Sequence, residues 1–304
     1  MADPATPGWY QSNVTTIDPE ARSLLEEYSG FQSDEVLPHV LALVGTMQSM
    51  ILQQTNALET PNQRDEAFKI FPYPCIGQMR FLSCHLARLP FYPRVLARLQ
   101  AHASAGFLDA GCCVGQELRY MVHRANIPAR NLYGFDLESG FFDLGYKLFR
   151  DDATKFPATL LPADLGTKDA EWETSPVVDT MRGKIDVVWA GSLLHFWDHE
   201  GQVQSLLRLI GLCREGEGVI LCGRQMGSVL AGEYEMTGLL ETHHYRHNVE
   251  SLKGLWFDIQ QRTGQKWDIE GSLEVGETTT KMQGMSFVDS NARVIWWCAT
   301  RLSG

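Results

Sequence analysis

Three aspartates stand at the ends of short apolar runs: Asp109 in GFLDAGCCVGQ, Asp136 in NLYGFDLE and Asp164 in ATLLPADLG. A fourth run, KIDVVWAG, ends on the small pair Ala190 and Gly191. An aspartate at the tip of a buried strand is costly unless it is paired, and its natural partner is a cation. Capping of the following turn is the competing role for Asp109. Gly111 and Gly115 let backbone approach a ligand closely, but Cys113 fills the place where the G-x-G-x-x-G turn of a dinucleotide site carries its second glycine. Cysteine can stand there if its φ is negative. The run has no third glycine, and an acid in front of it repels a pyrophosphate, which argues against NAD.

A positively charged nucleoside fits these positions better. S-adenosylmethionine brings a sulfonium and an ammonium to Asp109, two ribose hydroxyls to Asp136 and an adenine amino group to Asp164, with Ala190 and Gly191 beside the reactive methyl. Methyl transfer is an in-line displacement, so a protein contributes mainly by holding an oxygen about 3 Å from the methyl group and excluding water. His195, in SLLHFWD, follows the fourth strand closely enough to act as a base or an orienting donor, with Phe196 and Trp197 as apolar walls. Pairing with Asp198 is the purely structural role open to it. ETHHYRHN adds His244 and Arg246, the arginine serving either as an anchor for a substrate carboxylate or as a helix-cap ion pair. His243 and His247 are four apart but lack a carboxylate at a metal-binding spacing, so no metal is expected. Gln78 and Arg80 are placed to close over the cofactor carboxylate or the substrate, with Arg224 and Gln225 as rivals for that role.

The elements that position these residues alternate. From Gly106 onward FLDAG, NLYGFDLE, ATLLPADL, KIDVVWAG and EGVILCGRQ read as strands, with helices after most of them, which predicts a mainly parallel sheet covered on both faces. MQGMSFVD and RVIWWCAT, separated by SNA, predict an antiparallel hairpin at the sheet edge, and Trp296 and Trp297 alternate across its last strand. VESLKGLWFDIQQRTG reads as a helix ending at Gly264 and buries Leu252, Leu255, Trp256 and Ile259. In the first hundred residues DPEARSLLEEYSG and DEVLPHVLALVGTMQSMILQQTNAL read as helices, the first capped by Asp18 with Pro19 at N1 and stopped at Gly30. IFPYPCIGQMRF then reads as a buried irregular strap. The expected organisation is therefore an N-terminal helical cap and strap over 1–100 and a ligand-binding α/β domain over 101–304.

The chain has 304 residues, 44% hydrophobic and 21% charged, as expected of a globular α/β protein. Its 26 basic and 37 acidic side chains give a formal net charge of −11, which repels a phosphate backbone and excludes nucleic acid as an expected partner. No apolar run is long enough to span a bilayer, and the first twenty residues lack the pattern of a secretory signal. Seven cysteines without C-x-x-C spacing indicate neither a disulfide framework nor a zinc site. A cytoplasmic location is the expectation. Oligomeric state is left open, with a homodimer as one outcome.

FPYPCIGQMRF, FLDAGCCVGQELR, NLYGFDLESGFFDLGYKLFRD, KIDVVWAGSLLHFWD, GRQMGS and YRHNVESLKGLW carry a closer likeness. From about Tyr28 to the C-terminus the chain resembles class I S-adenosylmethionine-dependent methyltransferases, and more narrowly fungal O-methyltransferases of meroterpenoid and polyketide pathways. The resemblance implies a Rossmann-like α/β fold with a seven-stranded mixed sheet and a reversed last strand. It also implies that Gly111 meets the methionine part, Asp136 the ribose, Asp164 and Leu165 the adenine, and that Ala190 lies in the loop after the fourth strand. With the residues singled out above, the expected cofactor set is Asp109, Gly111, Cys112, Gly115, Asp136, Leu137, Asp164, Leu165, Ala190 and Gly191, joined by Gln78 and Arg80. The implied activity is methylation of a carboxyl or hydroxyl group of a small natural product. Two other functions stay open at this point: a cyclase or isomerase that binds the cofactor without methyl transfer, and a noncatalytic partner of another pathway enzyme.

Overall fold

The computed structural model describes residues 15–43, 80–235, 243–275 and 288–303. Five strands run parallel: β1 (Gly106–Ala110), β2 (Leu132–Asp136), β3 (Thr159–Pro162), β4 (Ile185–Gly191) and β5 (Ile220–Ser228). With β8 (Trp267–Glu274) and β9 (Ala292–Arg301) they form one seven-stranded sheet in the order β3-β2-β1-β4-β5-β9-β8. β9 is antiparallel to both neighbours and is the reversed strand. The strand order reverses direction between β1 and β4, and in open α/β sheets ligands bind beyond the carboxyl ends of the strands at such a switch point.

The edge hairpin differs from its sequence expectation. The partner of β9 is Trp267–Glu274, not MQGMSFVD, most of which lies outside the described residues; Val288 and Asp289 carry no regular structure. Trp267, Ile269, Gly271 and Leu273 alternate with Asp268, Glu270, Ser272 and Glu274, the period-2 pattern of a strand with one covered face.

Successive residues of the central strands serve opposite faces. Leu108, Val188 and Trp297 join one apolar cluster with Trp256 and Ile259. Phe107 and Val187 join the other with Val95, Leu118 and Met121, and Trp296 packs against it while remaining partly exposed. The second face is covered by helices α3 (Tyr92–Gln100) and α4 (Gln116–Ala125), the first by α8 (His199–Leu212) and α9 (Val249–Thr263) among others. Helix α9 is fixed at both ends. Asn248 and Ser251 form a capping box, and Gly264 takes φ +69° to end it.

The N-terminal helices find their partner in α5 (Gly140–Phe149). Asp18 caps α1 (Pro19–Ser23), which continues through a π turn over Leu24–Tyr28. Leu24, Leu25 and Phe31, with Val36 and Val40 of α2 (33–43), pack on Phe141, Leu144, Leu148 and Phe149. Phe81 and Leu82, at the end of the strap, share that cluster with Val114 of the turn after β1. The rest of the strap lies outside the described residues. The short helices α6 (Asp169–Glu173) and α7 (Pro176–Met181) bridge β3 and β4.

Candidate functional site

Three residues of the turn after β1 have positive φ: Gly111 at +77°, Cys113 at +48° and Gly115 at +70°. Cys113 is therefore left-handed, contrary to the negative φ expected for it. Such a conformation costs a non-glycine residue about 1 kcal/mol, which neighbouring contacts must offset. They are present: the Cys113 N–H donates to Asp136 Oδ2 at 2.8 Å, and the N–H groups of Gly111 and Cys112 both donate to Phe135 O, at 2.9 and 3.0 Å. The tip of β2 thus templates the turn. Cys112 turns its sulfur inward, since a Cβ on Gly134 would lie 2.8 Å from Sγ, and the residue is buried. Burial pushes the Cys112 thiol well up, and it stays protonated. A Cβ on Gly111 would lie 3.1 Å from Leu193 Cδ1, so here glycine brings the turn against the loop after β4.

Asp109 is 3% exposed, and its Oδ2 has no hydrogen-bond partner among the described residues. The same holds for Gln116 Oε1 and Glu117 Oε2, on the first turn of α4. Burial raises the Asp109 carboxyl well above the carboxylate range, with Glu117 and Asp136 adding to the effect. Burial likewise pushes Glu117 up to about 7, although its Oε1 accepts from the N–H groups of His85 and Leu86 at 2.5 and 3.1 Å. Buried acceptors in native proteins almost always find donors. Three unmatched acceptors around one glycine turn are suited to a cationic ligand.

Glu117 also gives a stability prediction. Burial lifts its folded pKa to about 7, above the ordinary glutamate range, so between the two the folded state holds a proton that the unfolded state has released, and stability falls as pH rises through that window. Glu117→Gln keeps an acceptor for the two N–H groups and removes this fall. From about pH 5 to about pH 8 the variant should gain roughly 5 °C in melting temperature relative to the parent chain, corresponding to about 2 kcal/mol.

Asp136 ends β2, one strand away from Asp109. Burial raises its carboxyl, against the N–H groups of Cys113 and Glu138, which donate at 2.8 and 3.1 Å and lower it. Beside it Leu137 is 55% exposed, a large apolar side chain open to a ligand ring. Asp164 is exposed, with Oδ1 accepting from the Gly166 N–H at 2.7 Å, while Leu165 is buried in the sheet core and its carbonyl is held by Arg208 at 2.7 Å. Ala190 is fully buried at the end of β4. Gly191 has a structural reason to be glycine, because a Cβ there would lie 2.6 Å from the Trp189 indole nitrogen. Gln78 and the Arg80 side chain lie outside the described residues; the backbone of Arg80 opens a 3-10 turn, Arg80–Leu82.

The three catalytic candidates divide into two groups. His195 sits half-buried on a 3-10 turn, Leu194–Phe196, with its ring stacked on Phe196 at 4.8 Å. Asp198 is committed elsewhere, since its Oδ1 accepts from the Gly201 N–H at 2.8 Å and caps α8. His244 and Arg246 lie on β7 (His243–Arg246), which pairs with β6 (Gly232–Glu235) in a separate two-stranded sheet. Both are 1% exposed. Arg246 Nε donates to His244 Nε2 at 2.8 Å, its Nη1 lies 3.2 Å from Asp289 Oδ2, and its guanidinium covers the Tyr234 ring at 4.3 Å. The arginine thus has an ion pair with the segment before β9, not with a helix end. Burial and the adjacent Arg246 hold the His244 imidazole down to about 4, so it is neutral at pH 7.

Gln202, which carries no distinctive signal in the sequence, ties the groups together. Fully buried on α8, it donates from Nε2 to Trp197 O at 3.1 Å and to Tyr245 O at 2.9 Å. The Tyr245 N–H donates to Trp197 O at 3.0 Å, so β7 is hydrogen-bonded to the turn that carries His195. Gln225 is buried, with its amide directed at Gln202. Among the described residues no group of three or more His, Cys, Asp or Glu side chains could hold a metal ion.

Comparison with known proteins places the chain in a family. A sequence profile described as the meroterpenoid methyltransferase N-terminal domain matches residues 9–44 and 61–82. An O-methyltransferase from Fungal sp. is 39% identical over 279 residues, covering 91% of this chain and 83% of its own length. An O-methyltransferase from Stereocaulon alpinum is 34% identical over 273 residues, covering 88% and 70% respectively. An asnovolin E/chermesin D methyltransferase from Aspergillus novofumigatus is 31% identical over 265 residues, covering 84% and 81%. On this identity and coverage the chain belongs to the family of fungal methyltransferases that includes those of meroterpenoid pathways.

Proposed function

We propose that the chain is an S-adenosylmethionine-dependent O-methyltransferase acting on a carboxyl or hydroxyl group of a small fungal secondary metabolite, a meroterpenoid or polyketide. The observation that carries this reading is the set of unmatched buried acceptors on Asp109, Gln116 and Glu117 around a glycine turn. The O-methyltransferase names of the first two relatives support oxygen as the acceptor atom.

When bound, the cofactor supplies an electrophilic methyl group on a positively charged sulfur. Asp136 accepts from the ribose hydroxyls, Leu137 covers one face of the adenine, and Asp164 accepts from its amino group. Asp109 and Gln116 hold the ammonium, and the backbone of Gly111, Cys112 and Gly115 lies against the methionine portion. Ala190 and Gly191 border the methyl group. Gln78 and Arg80 close the site from the strap. His195 orients the substrate oxygen or accepts its proton, while Phe196 and Trp197 exclude water. A substrate carboxylate is already ionised at pH 7 and needs no base, whereas a phenol near pKa 10 gains from one. His244 and Arg246 back this wall through Tyr245 and Gln202.

Among the described residues no helix is long and apolar enough to cross a membrane. The scattered cysteines support a reducing compartment, the cytoplasm. Incubation with candidate pathway intermediates and S-adenosylmethionine, followed by mass spectrometry, tests the reading. It predicts product heavier by one methylene and equimolar S-adenosylhomocysteine. Product formed with the methyl donor left intact would overturn it.

A further inference from the structure

The left-handed turn that faces the cofactor is held from behind by a buried arginine. Arg119, 0% exposed, donates from Nη1 to Val114 O at 2.8 Å and to Gly115 O at 3.3 Å, fixing the last two carbonyls of the turn. Its other nitrogens form a two-pronged pair with Asp151, Nε to Oδ2 and Nη2 to Oδ1, each 2.8 Å. Both side chains are fully enclosed, and the rings of Phe149 and Phe156 flank the guanidinium at 4.6 and 4.3 Å. Helix α5 closes the far side, where a Cβ on Gly145 would lie 2.4 Å from Val114 O.

The pair has a third member. Tyr28, in the π turn of the N-terminal cap, donates its hydroxyl to Asp151 Oδ2 at 2.7 Å. Beside the Asp151 carboxylate, and with its ring partly buried, the Tyr28 phenol is held well above its ordinary pKa and remains a donor at any physiological pH.

We infer that Arg119 is a positioning residue that clamps the cofactor turn, and that Tyr28 locks the clamp through Asp151, making the N-terminal cap a working part of the cofactor site. This rests on the cofactor reading above. A turn with three residues at positive φ stays in place only while its surroundings over-determine it. Asp136 holds it at one nitrogen and Arg119 at two oxygens. Loosening the second hold lets the turn sample other conformations, and cofactor affinity falls by the fraction of time the turn is out of place. The chemical step, once the cofactor is bound, is little affected.

Arg119→Ala strands a buried carboxylate and is expected to compromise folding, so milder changes make the test. Tyr28→Phe removes one charge-assisted hydrogen bond, and Arg119→Lys keeps the charge but not the planar fork. Ile259→Val, on the far helix α9, controls for general loss of stability. S-adenosylhomocysteine is titrated into each full-length protein by calorimetry, alongside KM for S-adenosylmethionine and kcat. Tyr28→Phe should raise Kd and the cofactor KM by about three- to tenfold, Arg119→Lys by more, with kcat within about twofold of the parent and with Ile259→Val unchanged in Kd. A parent chain that binds S-adenosylhomocysteine and a Tyr28→Phe variant that binds it equally tightly would overturn the clamp while leaving the cofactor reading standing. No binding by the parent chain would remove the cofactor reading and this inference with it.

Discussion

Asp136→Ala is expected to weaken S-adenosylmethionine binding by about one hundredfold in a calorimetric titration. Two hydrogen bonds from ribose hydroxyls to a carboxylate are together worth about 2–3 kcal/mol in a half-buried site, which converts to that factor. The residue has a second function that the variant also removes. Its Oδ2 accepts from the Cys113 N–H at 2.8 Å, so alanine releases the left-handed cysteine as well as the sugar. Asp136→Asn separates the two effects. It retains one acceptor oxygen and should lose only about tenfold in affinity. An alanine variant with an unaltered dissociation constant would show that the ribose lies elsewhere.

The affinity for S-adenosylmethionine should also rise with pH, by up to about tenfold per unit below neutrality. Asp109 is held well above the ordinary carboxylate range by burial and by Glu117 and Asp136, and Glu117 stands at about 7. In the free protein part of this acidic cluster is therefore protonated. A cationic ligand favours the carboxylate form, so binding expels a proton. By linkage the affinity increases with pH up to the free-protein pKa and then levels off. Titrations in two buffers of different ionisation enthalpy measure the released proton directly. Asp109→Asn should flatten the dependence and weaken binding, because an amide still accepts a hydrogen bond but neither titrates nor carries a charge to set against the ammonium. A parent chain whose affinity is the same at about pH 6 and about pH 7.5 would contradict the placement of the positive charge beside these acids.

What the sequence displayed and what it concealed divide along physical lines. Asp109 and Asp136 were legible because each ends a short run of residues that only a buried strand explains, and the sheet order then brings the two tips together. The conformation of Cys113 was hidden. A cysteine gives no local sign that it will adopt φ +48°, since the hold comes from Asp136, 23 residues away. Arg119 and Glu117 were concealed for a related reason. Both sit on an amphipathic helix, where charged residues ordinarily face water. Their burial depends on Asp151 and on the backbone of His85 and Leu86, which are distant in sequence. β8 differs in kind: its alternation from Trp267 to Glu274 is readable, but the apolar residues of MQGMSFVD carry a competing strand signal nearer to β9 in the chain. ETHHYRHN displays polar chemistry in the sequence, whereas tertiary packing makes His243–Arg246 a strand in which the buried Arg246 donates to His244.

The central claim is that a methionine-bearing nucleoside lies across the tips of β1 and β2, with its positive end toward Asp109. A crystal structure of the full chain grown with S-adenosylhomocysteine tests it most directly. The account predicts ribose hydroxyls within hydrogen-bonding distance of Asp136, the adenine against Leu137, and the ammonium against Asp109 and Gln116. A ligand bound away from the turn between Gly111 and Gly115, with both carboxylates still unmatched, would contradict it.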